Sequence, residues 1–151
     1  MNEASLGAAP GRGRVAALDL GTRRIGVAFS DSGRTIASPW GTIERSGDPA
    51  RDRAAVLEAV REVEASIVVV GLPLSLSGDV GPAARAALEE AAALRALLEP
   101  LGVSVETADE RFTTVEAERS LRAAGRSGKK ARRVVDAAAA MVLLQAWLDA
   151  P

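Results

Sequence analysis

The sequence VAALDLGTRRIGVAFSD, residues 15–31, contains two apolar runs that a short polar turn separates. The first run, residues 15–18, has the composition of a buried strand and leads directly into Asp19. The second begins at Ile25, so the stretch is typical of a β-hairpin with Asp19 near the end of its first strand. An ionised carboxylate in an apolar sheet is costly unless a cation meets it. A neighbouring arginine and a bound metal ion are the two candidates for that cation.

The composition of the chain excludes several kinds of site. It has 151 residues, 48% of them hydrophobic, and contains no cysteine, histidine or tyrosine. Disulfides, thiolate or imidazole metal sites and a Ser-His-Asp triad are therefore excluded. Any hydrolytic chemistry must rest on carboxylates, lysines, hydroxyl groups and bound ions. The formal net charge of −1 neither favours nor excludes a nucleic-acid partner.

The length predicts one domain with a single substantial core. Residues 1–13, rich in glycine, alanine and proline, predict a disordered extension, and residues 14–150 form the predicted folded domain. No apolar run approaches the roughly 18 residues that a membrane-spanning helix needs, and the first residues lack the apolar stretch of a signal peptide. These features predict a soluble, cytoplasmic protein with no membrane partner.

Apolar periodicity and turn residues predict the element order β-β-β-α-β-α-β-α-α. The third strand contains Pro39 and Gly41, which are typical of an edge or bulged strand. Asp48 and Pro49 predict the N-cap and first position of the next helix. Three antiparallel strands followed by alternating helices and strands predict an α/β fold, a mixed sheet flanked by helices. After the first hairpin the predicted strands are residues 34–43, 67–70 and 103–107, and the predicted helices begin near residues 49, 82, 113 and 131.

Three carboxylates lie where a fold of this order would bring them together: Asp19 on the first strand, Glu110 after the last strand and Asp136 in the last helix. Asp19 is equally suited to a turn, and Glu110, between two charged residues, to a solvated loop. Asp136 stands in an almost wholly apolar stretch, where an acid is either ion-paired, here to Arg132 or Arg133, or bound to a metal. Together the three suit a cage for Mg²⁺ or Mn²⁺, hard cations that prefer oxygen ligands. Two such ions can assist phosphodiester cleavage without any histidine.

Four segments of the chain, taken together, resemble the YqgF family: residues 19–28 (DLGTRRIGVA), 69–74 (VVGLPL), 109–114 (DERFTT) and 135–139 (VDAAA). They occur in order with compatible spacing, and the match extends over nearly the whole chain. YqgF proteins are bacterial Holliday-junction-resolvase-like proteins, also described as pre-rRNA processing nucleases. The resemblance implies an RNase H-like fold with a five-stranded mixed sheet, and a catalytic metal held by Asp19, Glu110 and Asp136. It also implies that the substrate is structured RNA or DNA.

A cluster of basic residues precedes Asp136 in the sequence. Cations at a helix N-terminus oppose the helix dipole, so their placement favours contact with a polyanion, with a solvated helix start as the ordinary alternative. Arg111 either binds a phosphate or pairs with Asp109. The residues expected to contact nucleic acid are Arg23, Arg24, Arg111, Arg126, Lys129, Lys130, Arg132 and Arg133.

Two glycine-containing segments give further expectations. The loop at residues 71–81 either presents Ser75 and Ser77 to a phosphate or is a flexible connection between strand and helix. It lacks the Gly-Lys-Ser/Thr ending of a P-loop. Gly21 and Gly26 are interpreted as keeping the hairpin corner slim enough for a nucleic-acid backbone to approach.

The leading hypothesis is a metal-dependent endonuclease that uses Mg²⁺ or Mn²⁺ in 5′-end processing of precursor 16S rRNA, on Holliday-junction-like DNA, or on both. A monomer and a homodimer are both compatible with the sequence. The alternative is a nucleic-acid-binding scaffold of the same fold that lacks the chemistry. Actin-like ATPases and sugar kinases also use an Asp-x-Gly-Thr corner, but they need two such domains and this length predicts one.

Overall fold

The structure, a computed structural model, describes residues 13–111 and 129–150, with side chains for residues 13–111 and 137–150. The predicted extension, apart from Gly13, and the helix predicted to begin near residue 113 lie outside the described residues. A 3₁₀ turn, Glu99–Leu101, follows the second helix. The strands and α-helices are β1 (Arg14–Leu20), β2 (Arg24–Ser30), β3 (Ala37–Glu44), α1 (Pro49–Glu62), β4 (Ala65–Leu72), α2 (Pro82–Leu98), β5 (Ser104–Asp109) and α3 (Lys129–Asp149).

The five strands form one mixed sheet in the order β3-β2-β1-β4-β5. β1 pairs antiparallel with β2 and parallel with β4, while β2–β3 is antiparallel and β4–β5 parallel. The predicted hairpin and the predicted α/β mixed sheet are confirmed. Leu18 of β1 aligns with Val70 of β4, so Asp19 and Gly71 are neighbours one residue further along the two strands. On its other side Asp19 aligns with Gly26 of β2.

The edge strand β3 has the irregularity that its proline and glycine predict. The β2–β3 register shifts between Val27, which aligns with Gly41, and Ala28, which aligns with Pro39. The strand begins at Ala37, later than predicted, because the preceding residues form a turn around Asp31. Both carboxylate oxygens of Asp31 accept hydrogen bonds there, from the backbone N–H groups of residues 35 and 36 and the Thr35 hydroxyl.

Helices cover both faces of the sheet. Ala16 and Leu18 of β1 belong to the core cluster that includes residues of α1 and α2. Val15 and Ala17 belong to a second cluster with Leu143 and other residues of α3. Successive side chains of a strand point to opposite faces, so Asp19 continues the row that faces α3. This alternation sets the face of the sheet on which the candidate site is built.

The helices α1 and α3 begin at or near the residues that the sequence predicts. Asp48 caps α1, its carboxylate accepting a hydrogen bond from the backbone N–H of Ala50, and Pro49 is the first helical residue, as predicted. α3 begins at Lys129, two residues earlier than predicted, so the basic cluster lies partly in its first turn. Among the described residues, no helix is long and apolar enough to cross a membrane.

Candidate active site

Two of the three predicted acids meet at the carboxyl ends of the central strands. Asp19 lies near the end of β1, and Glu110 follows directly after β5. Because β4 separates these strands, their backbones are two strand spacings apart, about 9.5 Å. The side chains nevertheless meet, and the carboxyl groups of Asp19 and Glu110 share a hydrogen bond. Carboxylates have no donor of their own, so this bond requires one proton between the two groups.

A glycine allows the Glu110 side chain to cross the intervening strand. Gly71 is buried in β4, and a Cβ atom there would lie 2.6 Å from Cδ of Glu110 and 2.9 Å from its Cγ and Oε2. Real Cβ atoms essentially never show separations this short, so the Glu110 carboxyl occupies the space that a side chain at position 71 would need. The backbone N–H of Glu110 donates to the carbonyl of Leu72 at 3.1 Å, which fastens the residue to the same strand end.

The surroundings of Glu110 raise the pKa of its carboxyl to about 8. Burial is the largest cause, followed by the hydrogen bond to Asp19, the negative charge of Asp19 and that of Asp109. Near neutral pH the Glu110 carboxyl of the metal-free protein therefore holds a proton and donates it to the Asp19 carboxylate. Two acids this close ionise together only when a cation compensates them.

Asp109 and Arg111, the two residues that flank Glu110, form an ion pair that fixes the backbone at that point. Arg111 Nη2 lies 2.6 Å from Oδ2 of Asp109, and the Arg111 Nε and backbone N–H also donate to the same carboxylate. These bonds hold the pKa of Asp109 below its ordinary value. Of the two roles open to Arg111, the structure shows the pairing with Asp109.

The third predicted acid, Asp136, lies in α3, and its side chain is outside the described ones. Its helix packs against β1 and β2, on the face of the sheet that carries Asp19. Among the side chains of residues 13–111 and 137–150, no group of three or more acids is placed to hold a metal ion. The described part of the site is therefore the Asp19–Glu110 pair.

The donor set of this pair fits a hard divalent cation. Carboxylate oxygens are the ligands that Mg²⁺ and Mn²⁺ prefer in proteins. Burial aside, the causes that raise the pKa of Glu110 are the hydrogen bond to Asp19 and the negative charges of Asp19 and Asp109. A cation bound by the pair would oppose each of them.

The residues predicted to contact phosphate lie in different environments. Arg23 is exposed in the β1–β2 turn. Arg24 is buried, and its Nε donates to Oε2 of Glu44 on the neighbouring strand at 2.6 Å. Its placement in the sheet, where it aligns with Glu44, does not support the predicted contact of Arg24 with substrate. Lys129, Lys130, Arg132 and Arg133 lie in α3 with side chains outside the described ones, and Arg126 lies outside the described residues.

The corner after Asp19 needs its glycine for an internal reason. A Cβ atom at Gly21 would lie 2.7 Å from the carbonyl oxygen of Arg24, so the tight turn itself excludes a side chain. Arg45 reinforces the corner, because its Nε donates to the Gly21 carbonyl at 2.7 Å and its backbone N–H to the Arg23 carbonyl at 2.9 Å. The expectation that Gly21 serves the approach of a nucleic-acid backbone is not required by this geometry.

The loop at residues 73–81, which we call the Leu76 loop, is held by its own polar groups. The Ser75 and Ser77 hydroxyls lie 2.9 Å apart, and Ser77 donates to the Asp79 carboxylate at 2.8 Å. The backbone N–H of Asp79 donates to the Ser75 hydroxyl at 3.0 Å. These hydroxyls bond within the loop, and the two expectations for it, a flexible connection and a phosphate contact through the serines, stay predictions.

Comparison with known proteins identifies the family of the chain. A family model described as "RuvX: Holliday junction resolvase" matches residues 13–150. The chain belongs to the RuvX family. The resemblance to YqgF proteins, another designation of the same group, is thereby confirmed.

Curated relatives of this RuvX-family chain carry a provisional name as pre-16S rRNA nucleases. One from Mycobacterium sp. (strain KMS) is 46% identical over 140 residues, covering 93% of this chain and 82% of the relative. One from Mycobacterium ulcerans (strain Agy99) is 50% identical over 141 residues, covering 92% and 80%. With the family description, these relatives establish that the RuvX-family protein is a nuclease, a hydrolase of ester bonds.

Solved structures confirm the RNase H-like architecture of the RuvX-family chain. Thermus thermophilus RuvC, in a complex with a Holliday junction substrate, matches with a TM-score of 0.57 at 16% identity, covering 91% of this chain and 96% of that one. The yeast mitochondrial Holliday junction resolvase Ydc2 matches with a TM-score of 0.56 at 10% identity, covering 91% and 78%. At these identities the likeness concerns the fold alone.

Gly71 is the site residue that sequence reasoning missed. The sequence places it at the start of the predicted loop at residues 71–81, whereas in the structure it provides the space for Glu110. A signal was present, because a glycine at the end of a β-branched strand often marks a close approach of another group.

Proposed function

We propose that this nuclease is a metal-dependent endonuclease that cleaves phosphodiester bonds in structured nucleic acid, acting in 5′-end processing of precursor 16S rRNA. The observation that carries the proposal is the Asp19–Glu110 pair, an acid of β1 and an acid directly after β5 whose carboxyl groups meet across Gly71. The rRNA substrate is supported by the names of the mycobacterial relatives. Holliday-junction-like DNA is the second candidate, because the family description names that activity.

The proposed metal ligands are Asp19, Glu110 and Asp136, and the metal is Mg²⁺ or Mn²⁺. Ala140 is fully buried in the cluster between α3 and the sheet. Residues four apart share a helix face, so position 136 is expected one turn from Ala140 on that face. When bound, the metal would activate the attacking water and stabilise the departing oxygen.

The protein's own residues prepare the site for that metal. Glu110 would give up its proton to hold the cation, since only the deprotonated acid is a good ligand. Gly71 leaves room for the Glu110 carboxyl, and the Asp109–Arg111 pair fixes the backbone on both sides of it. We assign phosphate binding to Arg23 and to the cations of the basic cluster before Asp136. We do not assign it to Arg24, which is buried and ion-paired with Glu44 within the sheet.

The test is one cleavage assay with two substrates in parallel, a 5′-extended 16S rRNA precursor fragment and a four-way DNA junction, each with Mg²⁺ or Mn²⁺. Asp19→Asn should abolish cutting while the thermal unfolding midpoint stays near that of the wild type. Asp48→Asn is the matched control, because asparagine also caps a helix and residue 48 is exposed and belongs to α1.

Each result of the assay has a distinct meaning. Cutting by Asp19→Asn at the wild-type rate would contradict the assignment of the site. Salt-dependent binding without cutting under either metal would favour the scaffold alternative. Cutting of the DNA junction alone would favour the second candidate, and paired cuts in it would call for a symmetric dimer, which light scattering would detect.

A further inference from the structure

The Leu76 loop exposes a large apolar side chain beside the site. Leu76 is 86% exposed and is the most exposed large hydrophobic residue in the described part of the chain. A second residue of the same loop, Val80, is 47% exposed. Single exposed leucines are common on protein surfaces. The exposure of Leu76 therefore indicates a binding role only in combination with the position of the loop and the contacts that hold it.

The position of Leu76 is fixed by the structure around it. The backbone N–H of Ser75 donates to the Asp79 carbonyl at 3.1 Å, and that of Gly78 donates to the Ser75 carbonyl at 2.8 Å. Gly78 has a φ of +90°, a left-handed conformation that glycine adopts without strain. With the serine hydroxyl bonds, these contacts close a compact loop with Leu76 projecting from it.

Arg111 fastens this loop to the acid pair. Its Nη1 donates to the Leu76 carbonyl at 3.3 Å, and the same nitrogen would lie 3.4 Å from a Cβ atom at Gly78. Arg111 directly follows Glu110, and the loop itself continues from the end of β4 that carries Gly71. The loop is thus connected to the Asp19–Glu110 pair in two ways. Its chain continues from β4, which carries Gly71, and its Leu76 carbonyl binds Arg111, which follows β5 and Glu110.

The chemistry of the loop favours contact with bases over contact with phosphates. Residues 73–81, PLSLSGDVG, contain no cation, and their one charged side chain is the acid Asp79. Its serine hydroxyls are engaged within the loop. What the loop offers to a nucleic acid is therefore apolar surface, which is suited to the faces of the bases and not to the charged backbone.

We propose that Leu76 packs against a base beside the scissile linkage and separates it from its stacked neighbour. Apolar side chains, leucine among them, can be inserted between base steps to unstack them. This inference rests on the proposed nuclease function and adds to it the recognition of a locally unstacked substrate. Leu76 acts as a binding residue for the base, while Arg111 holds the loop in place.

The kinetic test compares Leu76→Ala and Leu76→Phe with wild type on the substrate that wild type cuts. Leu76→Ala should lower kcat/KM by about tenfold on a fully paired cleavage site. The loss should be small on a substrate with a mismatch at that site, because its base is already unstacked. Leu76→Phe should retain activity. Leu101→Ala is the control, since Leu101 is also exposed, at 62%, but lies after α2 away from the site.

A binding measurement tests the same contact without chemistry. With 2-aminopurine next to the cleaved linkage and Asp19→Asn as the non-cutting background, binding should raise the 2-aminopurine fluorescence as the base unstacks. Adding Leu76→Ala to that background should remove the rise, whereas adding Leu101→Ala should leave it. Thermal unfolding of Leu76→Ala should match the wild type because the side chain is exposed.

The outcomes separate the two proposals. If wild type cuts and Leu76→Ala cuts the paired and mismatched substrates equally well, the inference about Leu76 is wrong and the nuclease function stands. A fluorescence rise that survives Leu76→Ala would overturn it in the same way. If wild type cuts neither substrate with either metal, the proposed function fails, and the inference fails with it.

Discussion

The Glu110 carboxyl lies directly over Gly71, so close that the Cβ atom of any other residue at position 71 would be 2.6 Å from Cδ of Glu110. Glu110 follows the edge strand β5 and Asp19 belongs to β1, with β4 between them. The meeting of the two acids therefore depends on the residue in the middle strand. Gly71 contributes no functional group, yet the geometry of the acid pair depends on it.

We expect Gly71→Ala to damage the site by displacing Glu110. The cost in unfolding free energy should be about 1 kcal/mol, the low end for overpacking, because the displaced atoms are the end of a flexible side chain, whereas a misplacement of about 1 Å lowers rates about a hundredfold. Urea unfolding and cleavage kinetics measure the two effects. Gly81→Ala is the control, because a Cβ atom at Gly81 would meet nothing within 4 Å.

A double-mutant cycle identifies Glu110 as the group that Gly71→Ala displaces. Glu110→Ala removes the Cγ, Cδ and Oε2 atoms that a Cβ atom at position 71 would contact. In that background Gly71→Ala should cost nothing, or stabilise by about 0.5–1 kcal/mol through reduced backbone freedom. Equal stability losses from Gly71→Ala in both backgrounds would show that another neighbour is responsible.

The sequence predicted the sheet and predicted that Asp19 and Glu110 lie close together. It did not predict that the two side chains meet across Gly71. Alternating and continuous apolar runs predicted every described strand, and the proline and glycine of β3 predicted its edge position and bulge. Pairing between β4 and β5 is a long-range feature, and only its register places Gly71 beneath Glu110. A linear pattern does not contain that register.

Strand register also decides the environments of the two arginines that follow β1, and the sequence alone did not distinguish them. Arg23 and Arg24 are adjacent and chemically identical, and both were predicted to contact substrate. The structure buries Arg24 because it starts β2 and aligns with Glu44 on β3. A bulge shifts the β2–β3 register between that pair and the turn that joins β2 to β3. The partner of Arg24 could therefore not be identified by counting residues outward from the β2–β3 turn.

The two arginines should therefore respond differently to substitution. Arg24→Ala should lower the unfolding free energy by about 1 kcal/mol, because it removes a buried side chain and its packing in the sheet, whereas the exposed Glu44 carboxylate is left to water. Arg23→Ala should leave stability unchanged, weaken nucleic-acid binding and reduce the slope of log K against log salt by about 1. Urea unfolding and a salt titration of binding measure the two effects. A reduced salt slope in a stable Arg24→Ala protein would restore the original prediction for Arg24.

The pKa of Glu110 predicts how the metal-free protein responds to pH. The carboxyl titrates near 4.5 when unperturbed and near 8 in the fold, so the folded state binds the extra proton between these values. The resulting stability is fully present below about pH 4.5 and is lost as pH rises through 8. Urea unfolding in EDTA should show this decline, and Glu110→Gln should remove it.

A second acid, Asp31, contributes to stability in a separate pH range. The pKa of Asp31 is lowered to about 2 by hydrogen bonds from residues 35 and 36, so its contribution is present above its ordinary pKa and lost only as pH falls below it. A decline above neutral pH that persists unchanged in Glu110→Gln would contradict the assignment to Glu110.

Metal binding should release a proton from the same carboxyl. Near pH 7 the Glu110 carboxyl is protonated in the metal-free protein, and a cation held by Asp19 and Glu110 must displace that proton. Calorimetric titration with Mg²⁺ or Mn²⁺ in buffers of different ionisation enthalpy should give close to one proton released at pH 7 and fewer at pH 9. Asp48→Asn should behave as wild type. Metal binding without proton release at pH 7 would place the ion elsewhere.

Arg111→Gln separates positioning of Glu110 from phosphate binding. Loss of the Arg111 cation leaves the Asp109 charge uncompensated, and that charge already raises the pKa of Glu110. The pH–rate profile should therefore shift to higher pH, and kcat should fall because the Glu110 backbone is less firmly held. An arginine that only bound a phosphate in both ground and transition states would raise KM and leave kcat and the pH profile unchanged. That result would assign Arg111 to the substrate and leave the position of Glu110 to Gly71 and the Leu72 carbonyl.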